Sequence, residues 1–476
     1  MEDVIYRFRP VSRLLDNDRK SGELDSQYIY FAKPSQLNDP LEGYKNLFFE
    51  GDNIAWNNLI RNYIQCLINH CMLVRIDPDQ TYDLAYSVLD IAVNAPPQYV
   101  ALSDRVIERF LAEPIIANFM TTFPSLGRSS RSEVYNYLDI LHFNALGVVT
   151  ECLVGEGLLP ATAANINDFK KAERLERIQA YTHALTDPDI DQENRKSLMD
   201  VYFRSSREKH LLERYKDHET KHIAVSLHEL LAFPDKYCEA LEKAVYPEWS
   251  VACFMPDCTD SAIWGSYGGN HKDVCLEFHV EKAADVTGLR LSMPSATDGD
   301  DKPLWRENIL RFHEVSYGED FANVDFFNSL GGLRYDDIYK YWLGDATGNL
   351  SSRASDLLQN PDQWRKEYWE KFHHSATVKL MDWSKEKEYR LIYYSNLFDF
   401  SDGELRKLKY DFKSLKGIVF GINTSTDDKC KLISRIEALC VEHKREEFIF
   451  YQARYDHITK IIARDELKSI RVGYKP

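Results

Sequence analysis

Basic residues are the scarcer charged class: 59 Lys and Arg stand against 75 Asp and Glu, a net charge of −16. So acidic a chain has no overall field that draws in nucleic acid or anionic lipid, and binding either would need a local basic patch. Glycine and proline are sparse, 21 and 17 in 476 residues, which excludes a collagen-like repeat. The nine cysteines stand at 66, 71, 152, 238, 253, 258, 275, 430 and 440, and no two have the C-x-x-C spacing of a zinc knuckle or redox pair. An odd count suits reduced, mostly buried thiols. The most apolar long stretch, 143–164, is broken by Asn144, Glu151, Glu156 and Pro160, which is too polar for a bilayer span. The opening Met1-Glu2-Asp3-Val4 lacks the basic-then-apolar order of a signal peptide. These absences lead us to expect a cytoplasmic protein with no membrane partner. What is present is ordinary: 44% apolar and 28% charged residues exclude disorder as the main state. At about 150 residues per domain, the length predicts roughly three domains, or two with insertions.

Local patterns divide the chain. Val4-Ile5-Tyr6-Arg7-Phe8 and Gln27-Tyr28-Ile29-Tyr30-Phe31-Ala32 read as strands, followed by a turn at Asn38-Asp39-Pro40. From about 53 to 244 the apolar spacing changes to three and four residues, as in Leu59, Tyr63, Cys66, Leu67 and Val106, Phe110, Leu111, which predicts several short helices. Strand-like sequence returns at 250–254, 274–278, 314–317, 389–394, 417–421 and 448–451, with helices at 336–343, 362–372 and 427–443 between. The pattern predicts an α+β core in two pieces, 1–50 and 246–476, split by a helical insertion over 51–245. The strands at 4–8, 28–32, 274–278 and 389–394 are expected in one sheet.

Four side-chain patterns stand out. Arg7 and Arg9 share one face of the first strand, an arrangement that suits either a diphosphate clamp or surface ion pairs. Glu386-Lys387-Glu388, on a strand, would put both carboxylates on one face; the same residues also read as a charged strand edge. Trp264-Gly265-Ser266-Tyr267-Gly268-Gly269-Asn270-His271 has glycines that let a ligand approach the backbone, and Tyr267 and His271 would share a face if helical. The H-E-x-x-H match His218-Glu219-Thr220-Lys221-His222, with His228 beyond it, has a polar middle and Val225 where a metzincin has glycine. It reads as a solvated helix, and no metal is expected there.

Four segments taken in order resemble a bacterial family catalogued as domain of unknown function 2971. They are Tyr6-Arg7-Phe8-Arg9; Ile29 to Glu42, with Tyr30, Asn38 and Asp39; Ala252-Cys253-Phe254 with Trp264 to Phe278; and Lys379, Trp383 and Glu386 to Leu391, with Arg390. The resemblance covers the two core pieces and not the insertion. Gly268 and Asp273 depart from the residues the family more often carries. The blocks also resemble ADP-ribosyltransferase-like folds, which implies a small mixed or antiparallel sheet core with NAD as substrate and no metal. On that resemblance Glu388 is the ribose-binding catalytic carboxylate, with Tyr267 and His271 beside it. Arg7, Tyr30, Asn38, Asp39, Trp264 and Arg390 are then the NAD-binding set, with Arg7 on a phosphate and Tyr30 or Tyr267 on nicotinamide. The implied protein is a toxin-like or phage-defence effector that transfers ADP-ribose to a protein or nucleic-acid acceptor, or hydrolyses NAD. Its insertion would select the target or hold a regulatory partner. Two other classes stay open: a metal-dependent nuclease or hydrolase using Asp39, Glu42, His271 and Glu277, and a non-enzymatic interaction protein working through the insertion.

Overall fold

A computed structural model describes the chain except residues 1–2, 16–21, 78–83, 85–87, 90–94, 161–170, 221–229, 284–285, 301, 396–397, 399 and 474–476. It is a mixed α+β protein with two compact units, one of 1–44, 248–321 and 373–476 and one of 45–247 and 322–372. The division differs from the expected one. Residues 322–372, read as part of the core, belong to the helical unit because Asn323–Asp325 pairs in parallel with Asn46–Phe49. The H-E-x-x-H segment lies outside the residues whose side chains are described.

The helical unit has long helices at Asn53–Ile76, Arg131–Gly155 and Gln192–Thr220. The first is capped by Asp52, whose carboxylate accepts from the Ile54 and Ala55 amides at 3.1 Å each. The second opens on a capping box in which the Ser130 amide donates to Glu133 at 2.6 Å. Arg131–Gly155 is the one helix among the described residues long and apolar enough to cross a membrane, and 67% of its most apolar window is buried within the protein. Trp56, Phe123 and Tyr137 form its aromatic neighbourhood.

The other unit holds two large sheets, where one was expected, and a two-stranded parallel sheet of Ser316–Tyr317 with Val378–Lys379. Val4–Arg9 pairs antiparallel with Val274–His279, which continues through Leu415–Phe420 and Ile449–Asp456 to Ile461–Glu466. Tyr28–Tyr30 and Tyr389–Tyr394 lie in the second sheet, ordered Tyr28–Tyr30, Lys407–Tyr410, Val286–Thr297, Pro303–Glu314, Tyr389–Tyr394, Trp249–Phe254, with every pairing antiparallel. Alternation explains the shared core: Ala252, Phe254 and Leu391 meet Leu276, Phe278 and Ile418 inside, while Cys253 and Arg390, paired across the second sheet, point the other way.

On that second face His313 sits opposite Arg390, and its ring stacks on His373 with centroids 4.7 Å apart. Burial, then His373 and Arg311, hold the His313 imidazole at about 4, and burial also lowers His373. A depressed imidazole is neutral in the fold, so the unfolded chain binds protons first as acid is added. The stability tied to His313 is complete above about pH 6.5 and is lost as pH falls towards 4, roughly 1–3 kcal/mol. Urea unfolding at pH 7 and pH 4.5 should show that loss, and His313→Gln should shrink it. An equal loss in the variant would assign the acid sensitivity elsewhere.

Candidate active-site cleft

The cleft begins where two strands leave one edge. Ala32 and Val251 exchange backbone hydrogen bonds at 2.8 Å each, and Tyr6 and Met255 do so at 2.9 and 2.8 Å. Tyr28–Ala32 and Val4–Arg9 therefore depart from points four residues apart on the Trp249–Met255 segment, with Cys253 midway. The opening is a cleft of about 930 Å³, a size typical of cofactor sites. Arg7 spans it, donating from Nη2 to the Tyr30 carbonyl at 2.9 Å, with its guanidinium 5.4 Å from the Phe254 ring centre. Arg7 is 8% exposed, and its Nη1 is buried with no hydrogen-bond partner among the described residues. Burial, then the Arg9 charge, lower its pKa to about 10, so it stays a cation at neutral pH.

A dense ion cluster lines the cleft near Cys253. Lys379 places Nζ 2.8 Å from Glu386, 2.9 Å from Glu388 and 3.2 Å from Glu42. Arg390, fully buried, takes Glu388 with Nε at 2.9 Å and Nη2 at 3.1 Å, Glu42 at 2.7 Å, and the Ala376 carbonyl at 2.6 Å. Three carboxylates against two cations leave one net negative charge in a water-poor site. Burial alone would raise the Glu388 carboxyl; Arg390 and Lys379 more than reverse this and hold it at about 2. The same carboxylates outweigh burial at Lys379 and keep it protonated, so it is no nucleophile. Burial and Glu388 push the Cys253 thiol far up, which removes thiolate chemistry as well.

The Glu-x-Glu pair does not sit on a strand. Met381–Glu386 is a 3₁₀ turn, Lys387 is left-handed at φ 46°, and the strand starts at Tyr389. The carboxylates converge because Lys379 gathers them. Lys379 is fixed by the parallel pairing of Val378–Lys379 with Ser316–Tyr317, and the Glu388 amide donates to the Tyr317 hydroxyl at 2.8 Å. Tyr267 donates to Glu386 and accepts from the Asn38 amide at 3.4 Å. Burial, then Glu386, raise the Tyr267 phenol, so it remains a donor.

No family model, curated protein or solved structure matches the chain.

Of the residues singled out in the sequence, Arg7, Tyr30, Asn38, Tyr267 and Glu388 line this one cleft. Arg390 stands behind it as the partner of Glu388. His271, Trp264 and Asp39 are not among its lining residues. The helix Ser261–Ser266 ends one residue before Tyr267, and Gly269, Asn270 and His271 are all left-handed, so Tyr267 and His271 do not share a helical face. His271 stacks on Trp264, which is buried against Phe8 and donates to the Cys258 carbonyl at 2.7 Å. Asp39 is a turn residue that accepts from the Leu41 amide at 2.9 Å. The four residues of the metal-hydrolase reading do not assemble either: Glu42 is held by Arg390 and Lys379, and Glu277 by Lys416 and Arg464 at 3.1 Å each. The sequence marks Glu386 only as the companion carboxylate of Glu388 and gives Lys379 and Tyr317 no role, although Lys379 falls inside the family-like fourth segment.

Gly269 serves the cleft from outside. A Cβ there would meet Asp273 Oδ2 at 2.1 Å, and Asp273 Oδ1 accepts from the Val11 amide at 3.1 Å, anchoring the turn that carries Ser12 and Arg13 to the cleft. Gly269→Ala, at φ 57°, is expected to cost about 1–3 kcal/mol. Gly265→Ala, where an added Cβ meets nothing within 4 Å, is the control and should leave the melting temperature unchanged or raised. Equal melts for the two variants would contradict the packing account.

Proposed function

We propose that the chain is an NAD-consuming enzyme of the ADP-ribosyltransferase type, with an ADP-ribosyltransferase-like core of the kind the family resemblance implies. The observation that carries this reading is one cleft lined by both a buried guanidinium, whose Nη1 has no partner among the described residues, and a net-negative carboxylate cluster. NAD has the complementary order of charge, a diphosphate and then a ribose that becomes cationic. As the ribose–nicotinamide bond breaks, its electron pair leaves with nicotinamide and positive charge develops on the ribose, which a fixed carboxylate in a dry site stabilises. An acceptor hydroxyl or water then bonds to that carbon and gives up its proton.

Geometry favours Glu386 over Glu388 for direct contact. Glu388 takes three contacts from cations, two from Arg390 and one from Lys379, whereas Glu386 has a single ion pair, to Lys379, and its other oxygen faces the Tyr267 hydroxyl, a neutral donor that the Asn38 amide also contacts. Glu388 then acts as a positioning residue. Arg406 lies 4.9 Å from the Tyr30 ring centre, so nicotinamide stacked on that ring would use its opposite face. A protein or nucleic acid is the acceptor class, and the helical unit is the candidate surface for it or for a regulatory partner. The test is release of nicotinamide from NAD by the purified protein, with and without cell lysate as a source of acceptor. Release in either condition supports the reading; none in both rejects it.

A further inference from the structure

We infer that the Arg9–Glu23 ion pair reads the adenosine ribose and makes the cleft select a free 2′-hydroxyl over a 2′-phosphate. This rests on the NAD reading above and adds a specificity determinant to it.

The argument starts from the order of charges. Glu388 lies against Cys253, Cys253 and Arg9 are both electrostatic neighbours of Arg7, and Arg9 is bound to Glu23. Glu388, Arg7 and Glu23 therefore succeed one another along the cleft, and all of them line it. Arg7 and Arg9 are two residues apart on one face of a strand, about 7 Å. A ligand with its reacting ribose at the carboxylates and its diphosphate at Arg7 then brings its second ribose to Arg9 and Glu23.

What it meets there is a locked pair. Arg9 donates from Nε to Glu23 Oε2 at 2.7 Å and from Nη2 to Oε1, and both side chains are nearly buried, at 12% and 8% exposure. Each Glu23 oxygen keeps a further lone pair for a hydroxyl donor. A 2′-phosphate offers no comparable donor and adds like charge beside Glu23, while two of the three guanidinium nitrogens that would welcome it, Nε and Nη2, are taken by Glu23. An acidic side chain favours the 2′-hydroxyl and a free arginine favours the 2′-phosphate; here one of each is present and the acid holds the arginine. Glu23→Gln keeps the shape, removes the repulsion and frees Arg9 for a charge-assisted contact.

The experiment is calorimetric titration of the full chain with ADP-ribose and with ADP-ribose 2′-phosphate. Wild type should bind ADP-ribose at least about tenfold more tightly. In Glu23→Gln the ratio should fall by about tenfold or more, towards equality or reversal, and Arg9→Gln added to Glu23→Gln should remove the gain for the phosphorylated ligand. If Glu23→Gln does not fold, Glu23→Asp, which draws the carboxylate back by one methylene, should shift the ratio the same way by less. Wild type that binds ADP-ribose with a ratio unmoved by the variant overturns this inference and leaves the NAD reading standing. Wild type that binds neither ligand overturns both.

Discussion

Arg390→Met is expected to lower folding stability by about 3–5 kcal/mol. The side chain is fully buried and its guanidinium contacts Glu388, Glu42 and the Ala376 carbonyl. Methionine fills much of the volume and supplies none of the charge. Glu42, Glu386 and Glu388 would then share Lys379 alone in a site that water barely reaches. Taking away one member of a buried pair costs more than the pair contributes, because the remaining charge stays desolvated. Urea denaturation reads the loss as a lower midpoint at unchanged slope. Adding Glu388→Gln to Arg390→Met should recover part of it, since the stranded charge goes too. A loss below about 1 kcal/mol in the single variant would mean that the cluster is wetter and weaker than its geometry implies.

Glu386→Gln is expected to reduce NAD turnover about 10²–10³-fold, the usual effect of removing one preorganised electrostatic contact to a developing charge. Glutamine keeps the size and can still accept from Tyr267, so the fold and the affinity for NAD should change little. The removed charge is the one that would face the cationic ribose. Glu388→Gln should also slow turnover, but with a lower melting temperature, because its two oxygens hold Arg390 and Lys379 in place. Activity and melting curves of the two variants together separate contact from positioning. A Glu386→Gln protein with full turnover would return the direct role to Glu388.

How far the sequence revealed this follows from where period-two alternation survives. It holds along Val4–Arg9, so Arg7 and Arg9 could be assigned to one face from the residues alone, and the structure has Arg7 in the cleft. It fails at Glu386 and Glu388, where a 3₁₀ turn and a left-handed Lys387 intervene; the convergence comes from Lys379, through a two-residue parallel pairing invisible to local pattern. His271 does not share a face with Tyr267 for a similar reason, since three successive left-handed residues end the helical spacing. Trp264 and Asp39 are polar or aromatic residues in a glycine-rich or turn context, and each makes its hydrogen bond within the fold. The long hairpin of Val286–Thr297 with Pro303–Glu314 escaped notice because Leu304 and Trp305 are exposed beside charged neighbours, so no clean inside-outside alternation marks it. The placement of 322–372 could not be read locally either, because it depends on a parallel pairing between residues nearly 280 positions apart.

The most direct test of the central claim, that Arg7 and the carboxylate cluster flank one NAD site, is calorimetric titration of NAD into wild type, Arg7→Lys and Arg7→Met. Wild type should bind one NAD per chain. Arg7→Lys should bind more weakly, because lysine cannot make a bidentate contact to phosphate, and Arg7→Met should bind least. Equal affinity in all three proteins, or no binding by wild type, would contradict the account.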